Sequence, residues 1–113
     1  MKRIILQSLP AQGVSHNPEI KKRVMLQKGD LPHLTTFAQA TFAPGQVTTL
    51  HSHTDMTEIF FVESGKGIIT VDGAEYALAP GVCIVAEAGE QHQLANDGTA
   101  PLVITYFGIK VER

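Results

Sequence analysis

Short runs rich in Val, Ile, Thr and Phe recur along the chain, separated by turn-forming residues, and almost nothing reads as helix. The punctuation falls at Gly13, Pro18, Gly29-Asp30, Pro32, Pro44-Gly45, Ser64-Gly65, Asp72-Gly73, Pro80-Gly81, Gly89, Asn96-Asp97-Gly98 and Pro101. Such spacing predicts an all-β sandwich or barrel. The expected strands are Lys22–Gln27, Leu34–Phe42, Val47–Leu50, Glu58–Val62, Gly67–Val71, Ala74–Leu78, Val82–Val85, His92–Ala95 and Leu102–Val111. The clearest hairpin joins Gly67–Val71 to Ala74–Leu78 through Asp72-Gly73, a pair suited to the two positive-φ positions of a type I′ turn. Residues 8 to 20 carry Pro10, Gly13, Asn17 and Pro18 and are expected to form an arm or loop leading into the barrel.

Length and composition narrow the picture. The 113 residues fit one domain, read as an arm over 1–20 and a barrel over 21–113. A net charge of −2 argues against a nucleic-acid or anionic-membrane binder. The one basic cluster, Lys21-Lys22-Arg23, reads as a solvated face. Cys83 is the only cysteine, so no internal disulfide can form, and its apolar neighbours suggest a small buried hydrophobe. The start, Met1-Lys2-Arg3-Ile4-Ile5-Leu6, is too briefly apolar for a secretory leader, and no segment has transmembrane length. These features together predict a cytoplasmic protein.

Four residues carry the candidate chemistry: His51, His53, Glu58 and His92. Separated by one residue, His51 and His53 would leave the same face of a strand. Glu58 follows His53 by five positions, an odd step, so a bend, bulge or strand change is required within Thr54–Thr57. His92 must come from another strand. Three imidazoles and a carboxylate suit one divalent transition metal (Fe, Mn, Ni, Co, Cu or Zn) better than Ca²⁺ or Mg²⁺. A five- or six-coordinate ion would keep positions open for water, dioxygen or a chelating substrate. His16 and His33, each alone, are assigned no role.

The spacing Gly45-x5-His51-x-His53-x4-Glu58-x6-Gly65 resembles the first signature motif of the cupin superfamily, and Gly81-x5-Glu87-x-Gly89-x2-His92-x3-Asn96 resembles the second. One position departs: Glu87 stands where the family usually has proline, and is read as a solvated loop charge. The resemblance implies a small single-domain cupin, a double-stranded β-helix or jelly roll, with metal held by His51, His53, Glu58 and His92.

Fold does not decide the reaction, because cupins host dioxygenases, isomerases, epimerases, lyases, decarboxylases and non-catalytic binders. Alternation puts Phe60 and Val62 on the face of Glu58, and Leu94 on that of His92. In the last strand Leu102, Ile104 and Tyr106 share one face. If that face turns inward, Tyr106 is a phenol near the metal and a candidate proton donor, with Glu58 as the ligand able to accept a proton. The provisional lining is Phe60, Val62, Leu94, Ile104 and either Phe37 or Phe42. Few inward cations are expected, which disfavours a phosphorylated substrate. The site resembles that of quercetinase-like dioxygenases, implying a metal-dependent oxidoreductase acting on a small oxygen-chelating substrate. The alternatives are a non-catalytic small-molecule binding or sensing module, and a metal-dependent isomerase or lyase. A homodimer is expected to cover the apolar edges supplied by Ile4-Ile5-Leu6 and the last strand.

Overall fold

The computed structural model describes residues 1–111. Nine strands are present among them: β1 (Gln12–Val14), β2 (Asn17–Gln27), β3 (Leu34–Phe42), β4 (Met56–Ser64), β5 (Gly67–Val71), β6 (Ala74–Leu78), β7 (Cys83–Ala86), β8 (His92–Ala95) and β9 (Leu102–Lys110). A six-stranded sheet in the order β1-β2-β3-β9-β4-β7 faces a three-stranded sheet in the order β6-β5-β8. Every pairing is antiparallel. This is the jelly-roll architecture the turn spacing predicts.

Burial follows alternation. Leu102 and Ile104 on β9, Phe60 and Val62 on β4, and Ala40 and Phe42 on β3 turn inward and pack with Ile69, Leu78 and Leu94. The hairpin between β5 and β6 turns at Asp72 (φ 47°) and Gly73 (φ 83°), and two successive positive φ values are the type I′ geometry. No helix among the described residues is long and apolar enough to cross a membrane.

Four expectations need correction. The stretch Val47–Leu50 is not a regular strand: only isolated bridges, Val47 to Ala95 and His51 to His92, join it to β8. The cause is local. Thr48 Oγ1 accepts the Leu94 N–H (3.0 Å), and the Thr48 carbonyl accepts instead from the Gln93 side chain (2.9 Å). A hydroxyl substituting for the backbone acceptor interrupts the ladder while keeping its groups satisfied. Second, residues 12–20 are not a loop; β1 and the start of β2 form a hairpin at the edge of the large sheet.

Third, Ile4-Ile5-Leu6 is not a strand. Its last residue opens a short 3-10 turn, Leu6–Ser8. Nor is β9 an edge, since it lies between β3 and β4. Fourth, Cys83 is exposed. It sits on β7, the outermost strand of the large sheet, where an all-apolar run has one face on the core and the other outside.

Candidate metal centre

Each ligand candidate is placed by a different local device. Glu58 lies on β4 with Ala86 of β7 and Gly108 of β9 directly beside it. Ala86 is buried, and the space that a side chain at Gly108 would take holds Thr35 Oγ1 and Met56 Sδ. His92 opens β8 and exchanges both backbone hydrogen bonds with His51 (3.1 and 2.8 Å), so the two imidazoles stand side by side with centroids 4.3 Å apart. His53 leaves the ladder altogether. Its carbonyl accepts the Gly89 N–H (2.7 Å), and Gly89 can present that N–H because its φ is +90°, open to glycine at little cost. The chain then bends at Thr54 and Asp55 before β4 begins, which is the break that the odd step to Glu58 requires.

These devices converge. One ligand atom from each of His51, His53, Glu58 and His92 lies within 4.8 Å of all the others. Glu58 Oε1 is 3.2 Å from His53 Nε2 and 3.0 Å from His92 Nε2. Glu58 and His92 are buried, whereas His51 and His53 are half-buried. The four are capable of holding one metal ion, and the mixed nitrogen and oxygen donor set fits a divalent transition metal.

Backbone carbonyls prepare the imidazoles. His51 Nδ1 is 2.7 Å from the Thr49 carbonyl, so Nδ1–H donates there and Nε2 is left as the lone-pair donor. His92 Nδ1 faces the Glu90 carbonyl at 3.2 Å in the same sense. Burial drives the His51 pKa down to about 4, with His92, His16 and His53 acting the same way and the Thr49 hydrogen bond opposing. His51 is therefore neutral near pH 7, as a ligand must be.

The ring of His92 behaves oppositely. Burial would lower its pKa, but the hydrogen bonds to Glu58 and to the Glu90 carbonyl outweigh burial and raise it. Burial likewise pushes Glu58 up, and the His92 hydrogen bond with the nearby imidazoles brings it below the usual range. Without a cation, Glu58 and His92 thus each favour the other's charged form. A bound metal would take the place of the shared proton.

A cavity of about 140 Å³ opens above the cluster. Phe42, Phe60, Leu94, Ile104 and Tyr106 line it, so the inner face of β9 is the one carrying Tyr106. Phe37 points the other way and packs edge-on against Phe107 (6.2 Å, 80°). Val62 is buried in the core without lining the cavity. Among the described residues nothing holds the Tyr106 hydroxyl, and burial followed by the Glu58 charge pushes its pKa up to about 12.

Two residues that sequence reasoning set aside also reach the cavity: His16 and Lys22. The turn between β1 and β2 folds across the mouth, and Thr49 N–H donates to the His16 carbonyl (3.0 Å). The His16 ring stacks on His51 at 3.5 Å and 12°. No local signal announces that contact, which depends on a hairpin closing over a segment 35 residues away. Lys22 did leave a signal. It is in phase with the buried Ile20, so it belongs to the inner face of β2 and not to a solvated cluster. Glu87, in place of the motif proline, is exposed as expected, and its N–H is capped by the Glu90 carboxylate (2.7 Å).

A two-sheet jelly roll with three histidines and one glutamate gathered at its inner wall defines a cupin-type barrel with a candidate metal site. The chain belongs to the cupin domain family, whose profile matches residues 38–108. It is 29% identical over 66 residues to an oxalate-binding protein of Thermotoga maritima, covering 58% of this chain and 54% of that protein. It is 31% identical over 90 residues to the L-ectoine synthase of Bordetella parapertussis, covering 78% of this chain and 66% of that enzyme. The chain thus spans between about half and two thirds of the length of these relatives. In fold it resembles the crystal structure of a predicted oxalate decarboxylase from Thermotoga maritima, with a TM-score of 0.90 at 21% identity over 97% of this chain and all of that one.

Proposed function

We propose that the protein is a metal-dependent enzyme acting on a small oxygen-chelating molecule, with His51, His53, Glu58 and His92 as the metal ligands. The observation that carries this reading is the meeting of four ligand atoms within 4.8 Å at the inner wall of a cavity of about 140 Å³. A bound divalent ion would supply Lewis acidity and, for a redox-active metal, reactivity toward dioxygen. The chain's own residues supply the rest. Phe42, Phe60, Leu94 and Ile104 keep the cavity apolar. Tyr106 is the candidate proton donor; its pKa raised to about 12 keeps it a neutral phenol and makes it a weak acid. Glu58 is the ligand able to accept one.

Dioxygenase chemistry on an enolic or catecholic substrate is the first form of this proposal, supported by the apolar lining and the open coordination positions that four protein ligands leave. A second form, isomerisation or elimination without dioxygen, is supported by the unheld Tyr106 hydroxyl facing the cavity and by the likeness to an ectoine synthase. Likeness to an oxalate-binding protein supports a non-catalytic binder of small anions. Oxygen uptake by Fe(II)-, Mn(II)- or Cu(II)-loaded protein with chelating substrates separates them. Uptake supports the first form, product formed under strict anaerobiosis supports the second, and ligand binding with no turnover under either condition leaves the binder.

We also propose that two copies pair, now through the outer face of β4 and β7, where Phe61 and Val85 are exposed, rather than through β9. Light scattering on wild type and Val85→Lys checks this: a dimer that the substitution splits supports it, and a wild-type monomer ends it. The single exposed thiol of Cys83 supports a reducing, cytoplasmic compartment.

A further inference from the structure

We infer that Lys22 is the anion-recognition residue of this cavity, so that the preferred ligand carries a carboxylate at the end opposite its metal-chelating oxygens. This rests on the metal-centre reading above and narrows it to a class of substrate.

The placement begins with alternation on β2. Ile20 is fully buried, Lys21 is exposed, and Lys22 returns to the inner face, directly opposite the buried Ala40 of β3. Ala40 is small, and both residues line the cavity. Lys22 is half-buried, and among the described residues lining the cavity it is the one lysine or arginine, on a wall that also carries Phe42, Phe60, Leu94 and Ile104.

No anionic group among the described residues pairs with it. Lys21, next in the chain, donates its Nζ to the Pro18 carbonyl at 3.1 Å, but no carboxylate or carbonyl takes the Lys22 ammonium. Among the described residues Glu58 is the one carboxylate lining the cavity, and His53 and His92 already engage it. A ligand with its own anionic group would complete the pairing.

Charge and size agree. With a divalent ion, one glutamate, neutral imidazoles and Lys22, the cavity carries net positive charge and favours an anion. Its volume of about 140 Å³ is close to that of the roughly 150 Å³ engineered cavity that accepts benzene, so ligands of about six to ten non-hydrogen atoms fit. Chelating oxygens, a short apolar linker against Phe60 and Leu94, and a terminal carboxylate meet those limits. Lys22 also lies outside residues 38–108, the part of the chain matched by the family profile. The preference is therefore carried by β2, outside the stretch that the profile matches.

Matched hydroxamates test it by calorimetry on zinc-loaded protein. Succinic monohydroxamate and butyrohydroxamate share a chelating head and differ at the far end, carboxylate against methyl; malonic monohydroxamate and propionohydroxamate form a shorter pair. Wild type should favour the carboxylate member at one length or both by about tenfold, the scale of one charge-assisted hydrogen bond. Lys22→Met should collapse that ratio to about one, and Lys22→Arg should retain it. Lys21→Met should leave it as in wild type. Zinc content and circular dichroism are measured on each protein first. A zinc-replete wild type that shows no preference at either length, or binds none of the four, overturns the assignment, as does a ratio that survives Lys22→Met. Absence of zinc from wild type refutes the metal centre itself, a separate failure.

Discussion

The two halves of the candidate metal centre are built on different principles. Glu58 and His92 stand at regular strand positions, are buried, and hold each other at 3.0 Å. His51 and His53 lie half-buried where the regular ladder gives out: His51 keeps two backbone hydrogen bonds to His92 and turns Nδ1 to the Thr49 carbonyl, while His53 is held through its carbonyl by Gly89 and through its ring by Glu58 (3.2 Å). The inner pair is set by packing, so its geometry exists before any ion arrives. The outer pair owes more of its aim to loops, with His16 stacked on His51 as a further brace. The centre therefore combines a rigid inner wall with a mouth that can yield to a ligand.

The largest expected effect comes from the inner pair. His92→Ala removes a ligand and leaves the buried Glu58 carboxylate without its main partner, so zinc affinity should fall by a hundredfold or more. Competition with a chromophoric chelator measures this. His51→Ala should cost less, about ten- to a hundredfold, because the outer segment can adjust; a loss equal to that of His92→Ala would erase the distinction between the halves.

Acid sensitivity of the metal-free protein sharpens the contrast further. The folded pKa of His51 is depressed to about 4, so the unfolded chain binds a proton there that the folded chain refuses. That contribution to stability is present above the unfolded value of 6.5 and is lost as pH falls from 6.5 toward 4. His16, also lowered, acts in the same direction. The raised His92 has the opposite sign: its contribution is complete below 6.5 and is lost as pH rises through its folded value. Thermal melts in chelator should show the melting temperature dropping on acidification below pH 6.5, and more shallowly in His51→Gln. An unchanged slope would contradict the burial argument.

A smaller effect is expected from the brace. His16→Ala should weaken zinc binding by a few-fold up to about tenfold, the lower end of what supporting residues contribute, and His16→Phe should restore part of it by keeping the stack. The smallest is spectroscopic. In metal-free Tyr76→Phe protein the one remaining tyrosine, Tyr106, should ionise near pH 12 by ultraviolet difference titration. A midpoint near 10 would place the phenol in water instead of the cavity.

Much of the fold was legible because turns punctuate it so densely. Leu34–Phe42, Gly67–Val71, Ala74–Leu78 and His92–Ala95 have the bounds that the sequence predicts. The four metal-ligand candidates were legible too, since their spacing matches a known motif and the odd step from His53 to Glu58 demanded the bend that is found. Alternation is weaker on another point: it says which residues share a face but not which face turns inward. Tyr106 could be placed only once β9 was seen between β3 and β4. Cys83 was misplaced because an unbroken apolar run has no phase to read. Lys22 was misread by treating Lys21-Lys22-Arg23 as a cluster when its members alternate across a sheet. His16 depends on a tertiary closure that no local pattern encodes.

The most direct test of the metal centre is an anomalous difference map from crystals loaded with zinc. One peak per chain is expected, with nitrogen ligands from His51, His53 and His92 at about 2.0–2.1 Å and a Glu58 oxygen at about 2.0–2.2 Å. A peak at any other position, or none in protein that binds zinc stoichiometrically, would contradict it.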